Sequence, residues 1–228
     1  MEFSKGTDNK KLKKLNRGKL YTFSLLSGHT CPFAKDCKSM AVESGDTRRV
    51  VDGPDCKFRC FSASQEATYK DVFAQRKRNT DAVRALVTKG PKVLGSAIHK
   101  AIPAGTEVIR IHVAGDFFHK NYFLAWCLVA QWNPGIVFYT YTKALPLVQQ
   151  YGHEVPDNLR ITLSRGGTHD RMIPALKALG FPEAIVVFSE DEAEDMGLDI
   201  DHDDSHAYDA EASFALLIHG TQPRKVAV

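Results

Sequence analysis

The chain has 228 residues, with 30 Lys+Arg against 27 Asp+Glu, 43% hydrophobic and 25% charged residues. This ordinary globular composition excludes a disordered, collagen-like or disulfide-knit chain, and a length of this order suits one large domain that buries about 70–75% of its unfolded surface. The net charge of +3 is too small to imply nucleic acid by itself.

Residues 1–19 (MEFSKGTDNKKLKKLNRGK) are polar and lysine-rich. They read as a basic flexible arm able to touch an acidic partner such as nucleic acid, and they lack the apolar stretch of a secretory signal. Residues 20–228 read as one α/β domain. Six short segments rich in β-branched and aromatic residues predict buried strands. They are 20–26 (LYTFSLL), 108–114 (VIRIHVA), 136–142 (IVFYTYT), 159–164 (LRITLS), 184–189 (AIVVFS) and 213–219 (SFALLIH). Helical patterns fill the gaps at 63–87, 92–102, 118–132, 145–151, 170–179 and 190–196. Strand alternating with helix implies a parallel sheet with right-handed crossovers. The six units predict a partial (β/α)6 TIM-like barrel, with an open doubly wound sheet as the alternative. Both architectures place their sites at the carboxyl ends of the strands. Distinctive polar residues fall there: Ser27-Gly28-His29, Gly115-Asp116, Lys143, Arg165-Gly166-Gly167, Glu190 and His219-Gly220-Thr221-Gln222.

No run approaches the roughly 18 apolar residues of a membrane span, so the expectation is a cytoplasmic protein with no membrane partner. In that reducing compartment, clustered cysteines serve metals or catalysis rather than disulfides. Cys31, Cys37, Cys56 and Cys60 form a C-x5-C-x18-C-x3-C pattern within residues 27–62, the loop after the first strand. Thiolates are soft ligands for zinc or iron–sulfur clusters. The five-residue spacing is loose for a zinc knuckle, which favours a cluster, while zinc, disulfides and free thiols stay open. Pro32, Phe33, Phe58 and Phe61 are placed to exclude solvent, and Lys35, Lys38, Lys57 and Arg59 to offset thiolate charge. Cys127, between Trp126 and Leu128 in a helical pattern, reads as an inert core residue.

Asp116 is a candidate base, or a ligand for an amine or a metal, unless it caps the helix beginning near Phe118. Lys143 and Arg165 are candidates for binding a substrate carboxylate or phosphate, and the SRGG turn for offering backbone N–H groups to an anion. His29 is a candidate donor to the cluster or a spare ligand, or else a turn residue bonded to backbone. In Asp201-His202-Asp203-Asp204-Ser205-His206, the two histidines share a face if helical, and His206 is taken as a catalytic candidate in what otherwise reads as a solvated acidic loop. No P-loop, dinucleotide fingerprint or nucleophile elbow is present.

SLLSGHTCPFAKDCKS, CFSASQEA, RIHVAGDFF, YTYTK, SRGG, IDHDDSHA and LIHGTQP, spanning Ser24 to Pro223, resemble the phage-encoded family known as gene product 88. The resemblance implies a phage origin, and so the host-cell cytoplasm, but carries over no activity. A looser similarity is to radical S-adenosylmethionine enzymes, which pair a partial barrel with a [4Fe–4S] site in the loop after the first strand. In that similarity, Gly115 and Asp116 occupy the place of the turn that holds the cofactor's amino-acid end. Those enzymes use three cysteines in a C-x3-C-x2-C pattern, whereas this chain offers four. If all four bind, no iron stays open for S-adenosylmethionine.

The sequence thus points to an iron–sulfur protein, its [4Fe–4S] cluster held by Cys31, Cys37, Cys56 and Cys60. Redox or radical chemistry is expected on a small-molecule or macromolecular substrate beside Asp116, Lys143, Arg165 and His206. The alternative is a nucleic-acid-binding module with a structural metal, its phosphate contacts made by the arm and by Arg76, Lys77, Arg78 and Arg84.

Overall fold

The computed structural model describes residues 1–220 and Gln222, so the Thr221 of the final predicted strand end lies outside the described residues. Strands β1 (Ser4–Lys5), β2 (Leu20–Phe23), β5 (Val108–Ile111), β6 (Val137–Thr142), β7 (Leu159–Ser164), β8 (Glu183–Val187) and β9 (Phe214–Leu217) form one sheet in that order. β1 pairs antiparallel with β2, and every later pair is parallel. Strands β3 (Ser39–Ser44) and β4 (Thr47–Asp52) make a separate hairpin within the cysteine loop.

Each parallel strand lies beside its predecessor, without the switch in strand order that a doubly wound sheet requires. Crossovers of one hand put the helices that follow β2, β5, β6 and β7 on one face of the sheet. That face packs Phe23, Ile109, Ile111, Phe138, Ile161 and Leu163 against α3 (Lys70–Val87), α4 (Pro91–Ala101), α5 (Lys120–Trp132), α6 (Leu145–Tyr151) and α7 (Ile173–Ala178). Trp126, Tyr122 and Phe123 of α5 are buried at its centre, and burying an aromatic side chain of this kind contributes about 1.5–3 kcal/mol. The opposite face carries Val108, Tyr139, Ala184 and Phe214, covered by Leu15 of α1 (Leu12–Leu15) and Ala207 of α9 (Ser205–Asp209).

The predicted β/α succession is present, but the sheet has β1 and β9 at its edges. The architecture is therefore a mostly parallel seven-stranded sheet, and no closed barrel forms among the described residues. Residues 1–19 also depart from the predicted arm. β1 pairs with β2, Phe3 packs on Phe23 with ring centroids 5.2 Å apart, and the Glu2 N–H donates to Asn79. Leu12 and Leu15 are buried while Lys13 and Lys14 between them are exposed. This helical alternation was hidden by the local density of lysines. The single helix predicted over 63–87 is two, α2 (Phe61–Thr68) and α3, broken where Tyr69 is extended. The break turns α2 onto the β3–β4 hairpin.

Candidate metal centre

The β3–β4 hairpin explains how an 18-residue gap in sequence becomes a short gap in space. Its register pairs Ser39 with Asp52, and directly opposed antiparallel residues lie about 4.5–5.5 Å apart at Cα. Cys37 therefore enters the hairpin where Cys56 leaves it. The Gly53 N–H donates to the Lys38 carbonyl at 2.6 Å, and the Cys56 N–H donates to Gly53 at 3.2 Å. The Ser39 hydroxyl accepts from the Cys60 N–H at 3.2 Å and lies 3.5 Å from Cys56 Sγ.

The upstream half of the loop is tied down with equal density. Gly28 has φ +70°, and a Cβ there would lie 2.3 Å from the Ser39 carbonyl oxygen, so only glycine lets the loop pass this close to β3. Lys38 Nζ donates to the carbonyls of Gly28 and Cys31 at 2.9 and 2.6 Å. The N–H groups of Lys57 and Phe58 donate to Asp36, and those of Lys35 and Asp36 donate to Gly166 in the SRGG turn.

All five cysteines are free thiols. Burial pushes the Cys31 thiol well up, and the neighbouring charges of Asp116, Cys60 and Cys37 push the same way. Burial and Cys37 raise Cys60 to about 11, against the N–H groups of Ala63 and Ser62 at the start of α2. Cys56 is raised by burial and, more weakly, by Asp52 and Cys37. The four thiols therefore share one electrostatic neighbourhood. They are not drawn to a point: among the described residues, no three His, Cys, Asp or Glu side chains are grouped to hold a single ion. Cys127 is buried in α5, and burial lifts its thiol to about 12.

Asp116 joins this neighbourhood. β5 ends in a turn in which His112 has φ +66° and Gly115 φ +87°. A Cβ on Gly115 would lie 2.7 Å from Leu25 Cβ and 2.8 Å from Thr30 Oγ1. The turn buries the Asp116 carboxylate, which accepts from Thr142 Oγ1 at 2.6 Å, the Lys143 N–H at 2.8 Å and the Phe117 N–H at 2.7 Å. Burial nonetheless raises its pKa, the hydrogen bonds opposing. Asp116 thus links the ends of β5 and β6 beside Cys31, rather than capping α5, whose cap is His119. Lys143 is 8% exposed, and its Nζ donates to Ser164 Oγ at 2.5 Å at the end of β7.

Other expected site residues are engaged with protein partners. His29 Nε2 donates to the Ala41 carbonyl at 2.8 Å, binding the loop to β3. Arg165 pairs with buried Glu183 at 2.6 Å. The N–H groups of Gly166 and Gly167 both donate to Asp170, at 2.9 Å each, and are not offered to an anion. His206 stands 3.9 Å from Asp201 and packs against Phe214, on the sheet face covered by α1 and α9. The acidic run is no solvated loop. Asp204 is fully buried, paired with Arg110 and with Lys11 (2.8 Å), and accepts from Tyr139 (3.2 Å) and Tyr141 (3.3 Å). Arg110 and Lys11 hold its carboxyl below the usual range against the penalty of burial.

Residues 1–227 match the family described as Gene product 88. The chain belongs to this family. No curated protein and no solved structure matches the chain. In this Gene product 88 protein, the flanking charges are largely spoken for. Lys57 pairs with Asp36 at 3.0 Å and Arg59 with Asp52 at 2.5 Å. The candidate phosphate-binding helix is similar: Arg76 pairs with buried Glu66 at 2.9 Å, Lys77 with Asp81 and Arg78 with Glu2, while Arg84 donates to the His29 carbonyl. Of the expected phenylalanines, Phe33 packs on His169 and Phe58 on Phe188, while Phe61 is 39% exposed against His219. Ser39 and Glu66 position the site although no spacing marks them, because Cys60 and Ser27 lie 21 and 39 residues away in the chain. No helix among the described residues is long and apolar enough to cross a membrane.

Proposed function

We propose that this protein binds an iron–sulfur cluster, [4Fe–4S] in form, through Cys31, Cys37, Cys56 and Cys60. One observation carries the reading: the β3–β4 hairpin brings free thiols from both its flanks into one neighbourhood, where burial and then the charge of Cys37 oppose ionisation of Cys31, Cys56 and Cys60. Thiols gathered this way stay protonated alone, whereas a cationic iron core offsets their charge and binds the thiolates. The donor set fits, because clusters take four thiolates and are tuned by hydrogen bonds to their sulfurs. The Ser62 and Ala63 N–H groups beside Cys60 and the Ser39 hydroxyl beside Cys56 are of that kind.

When bound, the cluster would supply one-electron redox chemistry. The chain's own residues would set the surroundings: Lys38 fixes the loop carbonyls, and Asp116 stands beside Cys31, held by the Lys143 N–H at the carboxyl ends of the strands, where an α/β sheet takes its ligands. The substrate would be a small molecule or macromolecule approaching that end. Four bound thiolates leave no iron open, so the reading is electron transfer and not S-adenosylmethionine cleavage. The resemblance to phage-encoded chains agrees with work in the host-cell cytoplasm, where thiols stay reduced.

The test is anaerobic purification followed by iron, sulfide and zinc analysis, with EPR after dithionite reduction. The expected result is about four irons and four sulfides per chain and a reduced-cluster signal that S-adenosylmethionine leaves unchanged. Each of Cys31→Ser, Cys37→Ser, Cys56→Ser and Cys60→Ser should lower the iron content by half or more. Stoichiometric zinc without iron would overturn the reading.

A further inference from the structure

We propose that copies of this chain associate head to tail, the acidic helix α8 (Glu190–Asp195) of one copy seating in a basic groove between α3 and α4 of the next. The groove, of about 470 Å³, is lined by Leu86, Lys92, Val93, Ser96, Ala97 and Lys100. Val93 is 47% exposed, on the side of α4 away from buried Leu94 and Ile98. Val93 and Ala97 lie four apart on one face, and Leu86 of α3 completes an apolar floor. Lys92 and Lys100 stand about 12 Å apart along α4 at the helical rise per residue.

The charge here is uncompensated. Residues 82–106 hold Arg84, Lys89, Lys92 and Lys100 and no Asp or Glu. Among the described residues no carboxylate pairs with Lys89, Lys92 or Lys100. An apolar floor between lysines suits a protein partner, since a charged phosphate backbone gains nothing from the apolar floor.

The complementary surface is on the same chain. Glu190, Asp191, Glu194 and Asp195 of α8 are exposed, and Met196 directly after them is 48% exposed. Glu190 and Glu194 also rim a cleft of about 710 Å³ with Asp199, a receptor for lysine side chains. The two surfaces lie towards opposite ends of the sheet. α4 belongs to the β2–β5 crossover and α8 to the β8–β9 crossover, with β6 and β7 between. One chain cannot satisfy both itself, but the next copy can, which is a heterologous contact.

Sedimentation velocity of the full chain from about 5 to 200 µM tests this, because weak contacts of small area populate that range. The expected mass rises with concentration and falls back to monomer in 0.5 M salt, where the Debye length is about half that at 0.15 M. Lys92→Glu/Lys100→Glu and Asp191→Lys/Glu194→Lys should each be monomeric with unchanged circular dichroism, and mixing them should restore dimers. A wild-type chain that stays monomeric throughout, association unaffected by either variant, or a mixture that stays monomeric would overturn the proposal. So would duplex DNA binding that Lys92→Glu/Lys100→Glu abolishes without changing the mass.

Discussion

Lys38 Nζ lies 2.6 Å from the carbonyl oxygen of Cys31, seven residues earlier in the chain. A second bond, to Gly28 at 2.9 Å, makes this ammonium the pin of the loop that carries two of the four thiols. Charged hydrogen bonds of this kind contribute about 1.5–3 kcal/mol each. Lys38→Met should therefore lower iron incorporation at least twofold in anaerobic protein, with little change in far-UV circular dichroism. Iron content equal to wild type would show that the loop is held by its other bonds alone.

Glu66 should matter for stability rather than for metal. It accepts from the Ser27 N–H and hydroxyl at 3.0 and 2.8 Å and from Arg76 at 2.9 Å, and it is fully buried. Burial outweighs these partners and raises its pKa. Glu66→Leu strands the buried Arg76 charge and should destabilise by about 3 kcal/mol in urea unfolding. Adding Arg76→Met should recover part of that loss, because the orphaned charge is then gone.

Asp204→Asn isolates a charge from a shape. Asp204 has φ +69°, which asparagine tolerates better than other side chains. The substitution leaves Arg110 and Lys11 without their carboxylate and should cost about 3 kcal/mol, a fall in Tm of about 6–12 °C for a chain of this size. Lys11→Met, which removes only the more exposed partner, should fall by less.

Acid should weaken the fold below about pH 6.5. Burial, and secondarily the charge of Arg110, lower the His112 pKa from 6.5 to about 3. Between these values the unfolded chain takes up a proton that the folded chain refuses, so stability falls with falling pH. One such group contributes a slope of at most about 1.4 kcal/mol per pH unit. Asp204, whose pKa is depressed, adds its own loss only below its ordinary value of 3.8. His112→Asn, which suits the φ of +66°, should flatten the urea midpoint against pH between 6.5 and 3.

The strands that build the sheet were legible because each is a compact apolar run next to a turn signal. VIRI, VFYTYT and LRITLS start within a residue of their observed positions. The β3–β4 hairpin carries its own signal, a two-residue Gly45–Asp46 loop between SMAVES and TRRVVD, but its strands are weakly apolar, with Glu43, Arg48 and Arg49 interrupting them. Residues 1–19 and the acidic run were illegible for a different reason. Lys11 and Asp204 each read as solvated until they are seen together, 193 residues apart, and no local pattern marks such a pair. Barrel closure is likewise invisible to a count of β/α units, since it depends on whether the last strand meets the first.

The hairpin makes the stretch between Cys37 and Cys56 a buffer of length. Its base is fixed by the pairing of Ser39 with Asp52, whereas nothing lies within 4 Å of a Cβ built on Gly45 at its tip. Rungs can be added or removed at the tip in matched pairs, keeping each side chain on its face of the ribbon. A change of length or charge at this tip, around Gly45 and Asp46, would leave Lys38, Ser39 and Asp52 at the base in place, so the molecule can vary there without disturbing the distance between its sulfurs.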